Sequence, residues 1–206
     1  MSRGRFLTLE GVEGAGKSTS LGFIQKILGS AGIPHMVTRE PGGTALGEAL
    51  REIMLHSDCT PICTDSELLM MFAARAQHLA ERIRPALESG TWVVCDRFTD
   101  ATYAYQGGGR GIPDERIAAL EDWVQGSLRP DLTLLFDIAV DQGLARAGQR
   151  STPDRFEREK REFFERVRQH YLAAAGREPG RIRVIDGALP PAGVEDRIRA
   201  VLQEFL

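Results

Sequence analysis

The chain alternates short runs of consecutive apolar residues with longer segments in which apolar residues recur every three or four positions. Runs of the first kind are typical of buried strands, and segments of the second kind are typical of amphipathic helices. This pattern predicts strands at residues 6–10, 35–39, 92–96, 132–137 and 183–186, and helices near residues 18–28, 46–56, 66–87, 114–125, 156–175 and 194–205.

The order of these elements predicts the fold class. Strands that are nearly uninterrupted apolar runs and alternate with helices indicate a parallel sheet buried on both faces. We therefore expect an α/β protein with a doubly wound, five-stranded parallel sheet flanked by helices, which binds its ligands at the carboxyl ends of the strands. No linker-like stretch divides the 206 residues, so residues 1–206 are expected to form a single domain.

Composition narrows the class of partner. The chain is 42% hydrophobic and 27% charged, which is ordinary for a globular protein, and its formal net charge is −3. A nucleic-acid polymer or an anionic membrane would require a broad basic surface, so neither is expected as a partner. The absence of a signal-peptide core and of an 18-residue apolar run, together with only three cysteines (Cys59, Cys63 and Cys95), predicts a cytoplasmic protein with free thiols.

The strongest motif is GVEGAGKS at residues 11–18, which matches G-x-x-x-x-G-K-[ST] between a predicted strand and a predicted helix. The glycines allow backbone N–H groups to surround a polyphosphate, and the amino end of the helix favours negative charge. Lys17 can contact the β- and γ-phosphates, and the Ser18 hydroxyl can bind Mg²⁺. The sequence thus predicts a nucleoside triphosphate site formed by Gly11, Val12, Glu13, Gly14, Ala15, Gly16, Lys17, Ser18 and Thr19.

A carboxylate is expected near this loop to hold Mg²⁺ directly or through water. Asp96 ends the apolar strand predicted at 92–96, so Ser18 and Asp96 are the predicted metal-binding residues. A guanine-binding switch would need an N-K-x-D motif, which this chain cannot have because it contains no Asn. A two-domain ATPase motor would need more than 206 residues. A small phosphotransferase remains as the prediction.

Arginines follow two of the predicted strands, and they point to a phosphate as the acceptor. Arg39 ends the second strand, Arg97 follows Asp96, and Arg51 lies one helix further on. A phosphate acceptor is already ionised, so it requires positioning and charge neutralisation rather than a general base. Two alternatives stay open: a kinase for a deoxynucleoside or another nucleotide, with Glu40 as the general base for a nucleoside, and a regulatory nucleotide-binding switch.

Five motifs together resemble the thymidylate kinase family of the bacterial type. They are LEGVEGAGKST (9–19), TREPGGT (38–44), FAAR (72–75), DRF (96–98) and AYQGGGRG (104–111). The resemblance implies a P-loop kinase that uses ATP and Mg²⁺ to convert dTMP to dTDP for dTTP synthesis, by in-line phosphoryl transfer. It also implies a homodimer.

The resemblance further implies a role for each acceptor-site residue. Glu13 would bind the sugar 3′-OH, and Arg39, Arg51 and Arg97 would bind the acceptor phosphate. Pro41 would press on the sugar, and Tyr105 would crowd its 2′ position. Arg75 would donate to thymine O4, and Thr102 and Gln106 would complete the base contacts. The aromatic residue that stacks on the base usually lies four residues before the arginine, where this chain has Met71, so we predict that Phe72, three residues before, stacks instead.

An arginine-rich segment at about 143–158 would form a lid over ATP in this family. Arg146 would contact ATP, and Arg150 and Arg155 would bring positive charge to the transferred group. The predicted catalytic set is therefore Lys17, Asp96, Arg97, Arg150 and Arg155.

Overall fold

The structure, a computed structural model, describes residues 3–56, 61–148 and 154–206. Its five strands are β1 (Phe6–Glu10), β2 (His35–Arg39), β3 (Trp92–Asp96), β4 (Leu132–Asp137) and β5 (Ile182–Asp186). They form one sheet in the order β2-β3-β1-β4-β5, with every neighbouring pair parallel. The predicted fold class is confirmed, and the predicted strands differ only by one residue at the start of β5.

Helices connect the strands of this sheet. They are α1 (Lys17–Ser30), α2 (Ala45–Leu55), α3 (Thr64–His78), α4 (Arg84–Glu88), α5 (Thr99–Thr102), α6 (Asp114–Gln125), α7 (Val140–Ala147), α8 (Arg161–Arg177) and α9 (Pro191–Phe205). A π-helical segment, Leu79–Ile83, joins α3 to α4, so the long helix predicted at 66–87 is continuous but changes its winding. A second π-helical segment, Tyr103–Gly109, extends α5. None of the helices in the described ranges is long and apolar enough to cross a membrane.

Two regions differ from the prediction. The helix predicted at 156–175 begins only at Arg161, because the Asp154 carboxylate accepts hydrogen bonds from the backbone N–H groups of Phe156 and Glu157 (2.8 and 2.9 Å) and holds a turn there. Within the expected lid at 143–158, residues up to Ala147 belong to α7, which the sequence did not predict. Residues 149–153 of that segment lie outside the described residues.

Alternate residues of the central strands pack into two different apolar clusters. Leu7 and Leu9 of β1 join one cluster with Val94 of β3, whereas Phe6 joins the other with Val93. This is the arrangement expected of a sheet covered on both faces, because successive side chains of a strand point to opposite sides. The carboxyl ends of β1, β2 and β3 lie side by side, so the loops that follow them meet at one edge of the sheet.

Candidate active site

A cavity of about 260 Å³ lies at this edge of the sheet. Its wall brings together residues from the loop after β1, the loop after β2, helix α3, the turn after β3 and the π-helical segment after α5. Predicted site residues in the wall are Glu13, Gly14, Lys17, Ser18, Pro41, Arg51, Arg75, Asp96, Arg97, Thr102, Tyr105 and Gln106. Residues from all five sequence motifs therefore line one cavity, and the DRF and AYQGGGRG motifs lie next to the phosphate loop.

The phosphate loop forms a tight turn that ends at the first residue of α1. Gly14 has a φ of 70°, and a Cβ at this position would lie 2.0 Å from the carbonyl oxygen of Gly143, so only glycine fits against α7. The Lys17 ammonium donates to the carbonyl oxygens of Gly11 and Val12 at 2.8 and 3.0 Å. Burial lowers the pKa of Lys17 to about 8. The Lys17 ammonium is therefore held at the concave turn that the glycines of the loop form.

Arg97 occupies the turn directly after β3. It is the one non-glycine residue with positive φ in the described ranges (70°), and its backbone N–H donates to the carbonyl oxygen of Leu9 at 2.9 Å. The guanidinium donates to Glu13 Oε1 at 2.8 Å and to the Tyr171 hydroxyl at 3.3 Å, and it lies 4.7 Å from the centre of the Tyr105 ring. These contacts aim the side chain along the cavity wall beside the phosphate loop.

Glu10 and Tyr171 support this turn, and the sequence did not single out either residue. The fully buried Glu10 carboxylate accepts hydrogen bonds from the backbone N–H of Phe98 and from the Tyr171 hydroxyl, both at 2.7 Å. Burial, with a smaller effect of the Asp100 charge, raises the pKa of Glu10 to about 8. Glu10 could have been recognised as a candidate from the sequence, because it is a charged residue at the end of a largely apolar strand. Tyr171 carries no comparable local signal, because it lies on α8, 161 residues away.

Arg75 is nearly fully buried at the other end of the cavity. Its Nε donates to Glu40 Oε2 at 2.8 Å, and its Nη2 donates to Thr102 Oγ1 at 2.9 Å. The rings of Phe72 and Phe98 lie 4.8 and 5.0 Å from the guanidinium carbon. Nη1 has no hydrogen-bond partner within the described residues. This arrangement leaves the buried Nη1 amino group of Arg75 as a donor for a ligand.

Phe72 does not occupy the position predicted for it. Its side chain is 2% exposed and packs with Leu68, Ile112 and Ile117, and it is absent from the cavity wall. Met71 lines the wall instead. One residue along a helix changes the direction of the side chain by about 100°, so the position four residues before Arg75 reaches the cavity and the position three before does not. The predicted stacking role of Phe72 is therefore corrected to support of Arg75 from behind.

Several other predicted residues lie outside the wall. Arg39 is exposed and pairs with Glu48 at 2.8 Å, whereas Arg51 donates to the Pro41 carbonyl oxygen at 3.0 Å and lines the cavity. Arg146 donates to the Gly187 carbonyl oxygen at 2.7 Å. Gly11, Val12, Ala15, Gly16 and Thr19 belong to the phosphate loop or the start of α1 without lining the wall.

The two arginines predicted to act from the lid have different outcomes. Arg155 pairs with the buried Glu67 carboxylate and donates to the Met54 carbonyl oxygen at 2.7 Å. It is not part of the cavity wall, because these partners on α2 and α3 hold its guanidinium beside the Phe156 ring. Arg150 lies outside the described residues.

The residues at the phosphate end fit a magnesium ion. Asp96 Oδ1 is buried and has no hydrogen-bond partner within the described residues, and Ser18 lines the same cavity. Mg²⁺ in nucleotide enzymes is held by one or two protein oxygens, by phosphates and by water, so a large cluster of protein ligands is not required. An unpaired carboxylate oxygen and a hydroxyl in the wall of the same cavity match that requirement.

Glu40 is poorly placed to act as a general base. Its two carboxylate oxygens are both used inside the protein, Oε2 by Arg75 and Oε1 by His78 Nδ1 at 2.9 Å. A base must present a free oxygen to the proton that it removes. This arrangement disfavours the alternative in which the chain phosphorylates a nucleoside hydroxyl with Glu40 as the base.

Comparison with known proteins agrees with the motifs. The sequence profile of the family described as "Thymidylate kinase" matches residues 9–198. The chain is 60% identical to the thymidylate kinase of Alkalilimnicola ehrlichii over 92% of this chain and 88% of that protein. It is 57% identical to the thymidylate kinase of Methylococcus capsulatus over 100% of this chain and 98% of that one.

A solved structure shows the same likeness in three dimensions. The crystal structure of thymidylate kinase from Ehrlichia chaffeensis is similar with a TM-score of 0.76 and 33% identity, over 98% of this chain and 99% of that one. A profile match over most of the chain, together with relatives of this identity and coverage, leaves one assignment: the chain belongs to the thymidylate kinase family.

Proposed function

We propose that this protein transfers the γ-phosphoryl group of ATP to dTMP, giving ADP and dTDP for dTTP synthesis. The observation that carries the proposal is one cavity with a phosphate loop at one end and a buried arginine with a free N–H at the other. Arg51 and Arg97 line the same cavity. A triphosphate, an acceptor phosphate and a base can thus be bound in a line.

At the triphosphate end, the loop residues Gly11 to Thr19 surround the phosphates with backbone N–H groups. Lys17 exchanges its contacts with the loop carbonyls for the β- and γ-phosphates, and its positive charge stabilises the charge that develops on the leaving group. Ser18 and Asp96 would hold Mg²⁺, which supplies neutralisation of the phosphate oxygens when it is bound. Arg146, Arg150 and Arg155 remain predictions as residues that act on ATP.

At the acceptor end, Arg51 and Arg97 bind the dTMP phosphate, and Arg39 joins them by exchanging its partner Glu48. One oxygen of the acceptor phosphate attacks the γ-phosphorus in line as the bond from that phosphorus to the bridging oxygen of ADP breaks. The attacking oxygen carries no proton that must be removed, so orientation and charge neutralisation by the arginines supply the catalysis.

The nucleoside of dTMP extends from the arginines toward α3. Glu13 binds the 3′-OH, Pro41 contacts the sugar, and Tyr105, whose hydroxyl donates to Glu13 at 2.6 Å, occupies the space beside the 2′ carbon. Arg75 donates its free N–H to thymine O4, with Thr102 and Gln106 nearby in the wall. Met71 contacts the face of the base in the place first predicted for Phe72.

We also propose that the protein is a homodimer and acts in the cytoplasm, where ATP and dTMP are available. Large apolar side chains are exposed on three helices, among them Leu46 and Ile53 on α2, Leu69 on α3 and Trp123 on α6. Helix α3 packs against both α2 and α6, so these side chains lie on neighbouring elements. Burying such surface against a second copy is favourable because it removes apolar area from water.

A panel of acceptors tests the function. Purified protein is mixed with ATP, Mg²⁺ and either dTMP, dUMP, dCMP or thymidine, and the release of ADP is measured. We expect dTMP to be used far more efficiently than any other acceptor. Equal turnover of thymidine would contradict a phosphate acceptor, and equal turnover of dCMP would contradict the placement of thymine at Arg75. ADP release without any acceptor would instead support a nucleotide hydrolase or switch.

A further inference from the structure

His78 is a buried residue behind the base end of the cavity, and the proposed reaction does not use it. It lies on α3 three residues after Arg75, has no exposed surface and is not part of the cavity wall. Its Nδ1 lies 2.9 Å from Glu40 Oε1, and its Nε2 lies 2.6 Å from Thr38 Oγ1. A Cβ at Gly43 would lie 2.5 Å from Nε2, so the loop after β2 packs closely against this edge of the ring.

The direction of these hydrogen bonds follows from the chemistry of the partners. A carboxylate can only accept, so His78 Nδ1 carries a hydrogen and donates to Glu40. In the neutral imidazole, Nε2 then accepts from the Thr38 hydroxyl. Glu40 itself is 4% exposed, and its backbone N–H donates to the carbonyl oxygen of Asp96 at 2.9 Å. His78 therefore satisfies one oxygen of a carboxylate that is fixed at both its backbone and its side chain.

This pairing decides which partners the N–H groups of Arg75 have inside the protein. Glu40 takes only the Nε hydrogen of Arg75, because its second oxygen is held by His78. Without that donor, the second oxygen would be a buried acceptor without a partner, which is unfavourable. The nearest charged donor is the guanidinium itself, and a carboxylate binds a guanidinium most strongly through two parallel hydrogen bonds. Arg75 would then turn toward Glu40 and away from Thr102.

We infer that His78 is a positioning residue which, by holding Glu40, keeps Arg75 oriented with Nη1 directed at the carbonyl oxygen of the acceptor's base. The inference rests on the proposed placement of thymine at Arg75. The free Nη1 amino group can donate a hydrogen bond to the keto oxygen of a 4-keto pyrimidine. Opposite the amino group of a 4-amino pyrimidine it would have no acceptor. His78 thus contributes to the choice of base without touching it.

Two substitutions of His78 whose side chains have the same shape as each other separate this role from simple packing. His78→Asn and His78→Leu have side chains of the same branched shape, and both remove the imidazole and its contact with Thr38. Only Asn keeps an N–H group close to the position of Nδ1, where it can donate to Glu40. Any difference between the two variants therefore reports on the donor to Glu40.

The measurement is kcat and KM for dTMP and for dCMP, with ATP and Mg²⁺ saturating. For His78→Leu we expect the KM for dTMP to rise about tenfold, with a smaller change in kcat, and the ratio of kcat/KM for dTMP over dCMP to fall about tenfold. For His78→Asn we expect the ratio to stay within about threefold of the wild-type value. Selectivity retained in Asn and lost in Leu supports the inference.

Thr133→Val is the matched control for the loss of a buried hydrogen bond. Thr133 Oγ1 lies 2.7 Å from Thr8 Oγ1 between β1 and β4, outside the cavity wall, so this variant should lose stability but keep the selectivity. If His78→Leu does not fold, Thr38→Val removes the hydroxyl that orients the ring and should lower the same ratio by about threefold.

The inference would be overturned if His78→Leu kept the wild-type selectivity, or if His78→Asn and His78→Leu lost it equally. Where His78→Leu does not fold, unchanged selectivity in Thr38→Val would overturn it. These outcomes leave the proposed function intact. A wild-type protein that does not prefer dTMP to dCMP would instead contradict the placement of thymine on which the inference rests.

Discussion

At the scale of single residues, hydrogen bonds within the protein hold the cationic side chains of the cavity in place before any substrate binds. Lys17 donates hydrogen bonds to carbonyl oxygens of its own loop. Arg97 donates to Glu13 and Tyr171, and Arg75 donates to Glu40 and Thr102. Groups that are already oriented stabilise a transition state without a further cost of reorganisation. The chemistry of the site therefore depends on internal partners that keep these cations apart and aimed at the cavity.

Replacing Arg97 by Ala should lower kcat/KM for dTMP by about 10²-fold or more, because charged groups that contact the transferring phosphates contribute on this order. Steady-state ADP release with varied dTMP measures the effect. Arg116→Ala is a suitable control, since Arg116 is exposed and pairs with the exposed Asp65 on α3. A loss of tenfold or less at Arg97 would remove this residue from the proposed phosphate site.

The raised pKa of Glu10 predicts how stability depends on pH. Its folded-state pKa of about 8 lies above the ordinary value of 4.5, so the folded protein favours the protonated carboxyl and loses stability as pH rises from about 4.5 to about 8. Glu10→Gln cannot ionise and does not share this loss. The stability of Glu10→Gln relative to wild type should thus increase with pH over that window.

Urea unfolding of both proteins at pH 5.5, 7 and 8.5 measures this difference, in which the contributions of the other titrating groups largely cancel. A difference in the free energy of unfolding that is the same at all three pH values would show that the carboxyl of Glu10 titrates normally in the folded state.

At the scale of elements, the phosphate loop is shaped by its contact with α7. Gly14 and Gly143 meet backbone to backbone: a Cβ on Gly14 would lie 2.0 Å from the Gly143 carbonyl oxygen, and a Cβ on Gly143 would lie 2.6 Å from the Glu13 carbonyl oxygen. From the sequence, the phosphate motif is the only reason for a glycine at position 14. The packing adds a second reason, because the loop and α7 can approach so closely only where both lack a side chain.

Gly14→Ala should therefore lower the melting temperature and raise the KM for ATP, because the added methyl group forces the loop away from α7 at a residue with φ of 70°. Gly22→Ala is the matched control. Gly22 lies within α1 with no atom within 4 Å of its would-be Cβ, so Ala should increase helix stability by about 0.5–1 kcal/mol. Equal melting temperatures for the two variants would contradict this account of the loop.

At the scale of the whole molecule, a net charge of −3 coexists with a cavity that is lined by Lys17 and three arginines, Arg51, Arg75 and Arg97, as well as by carboxylates. The overall charge is a sum over the surface, whereas substrate binding depends on the local field in one cleft. Composition predicts that no large polyanion is a partner, but it gives no indication of a site for two small nucleotides. Assembly is also a property of the surface, where exposed apolar groups concentrate on α2, α3 and α6.

If these helices form the dimer interface, Leu69→Glu should convert the protein to a monomer, because a carboxylate cannot be buried there without a partner. Leu69 is 56% exposed on one chain, so the substitution should not disturb the fold of the monomer. Light scattering coupled to gel filtration gives the mass. Val184→Glu changes a residue of similar exposure on β5 and should leave the mass unchanged. A Leu69→Glu protein of the wild-type mass would place the interface elsewhere.

The sequence by itself determined the fold class, the strands, the phosphate loop and part of the cavity wall. These features are encoded locally, since a strand or a P-loop requires a particular pattern within a short segment. The family resemblance extended this to the acceptor site, whose residues follow the carboxyl ends of strands. Helices α5 and α7 were missed because they are short, with only four and eight residues.

Only the tertiary structure decided which side chains of α3 reach the cavity and which partners hold the site. Periodicity shows that Met71, Phe72 and Arg75 share a helix but not how the helix is rotated against its neighbours. Likewise, the pairing of Tyr171 with Glu10 and of His78 with Glu40 joins residues 161 and 38 positions apart. Such contacts depend on how whole elements pack together, and the pattern within one element does not contain that information.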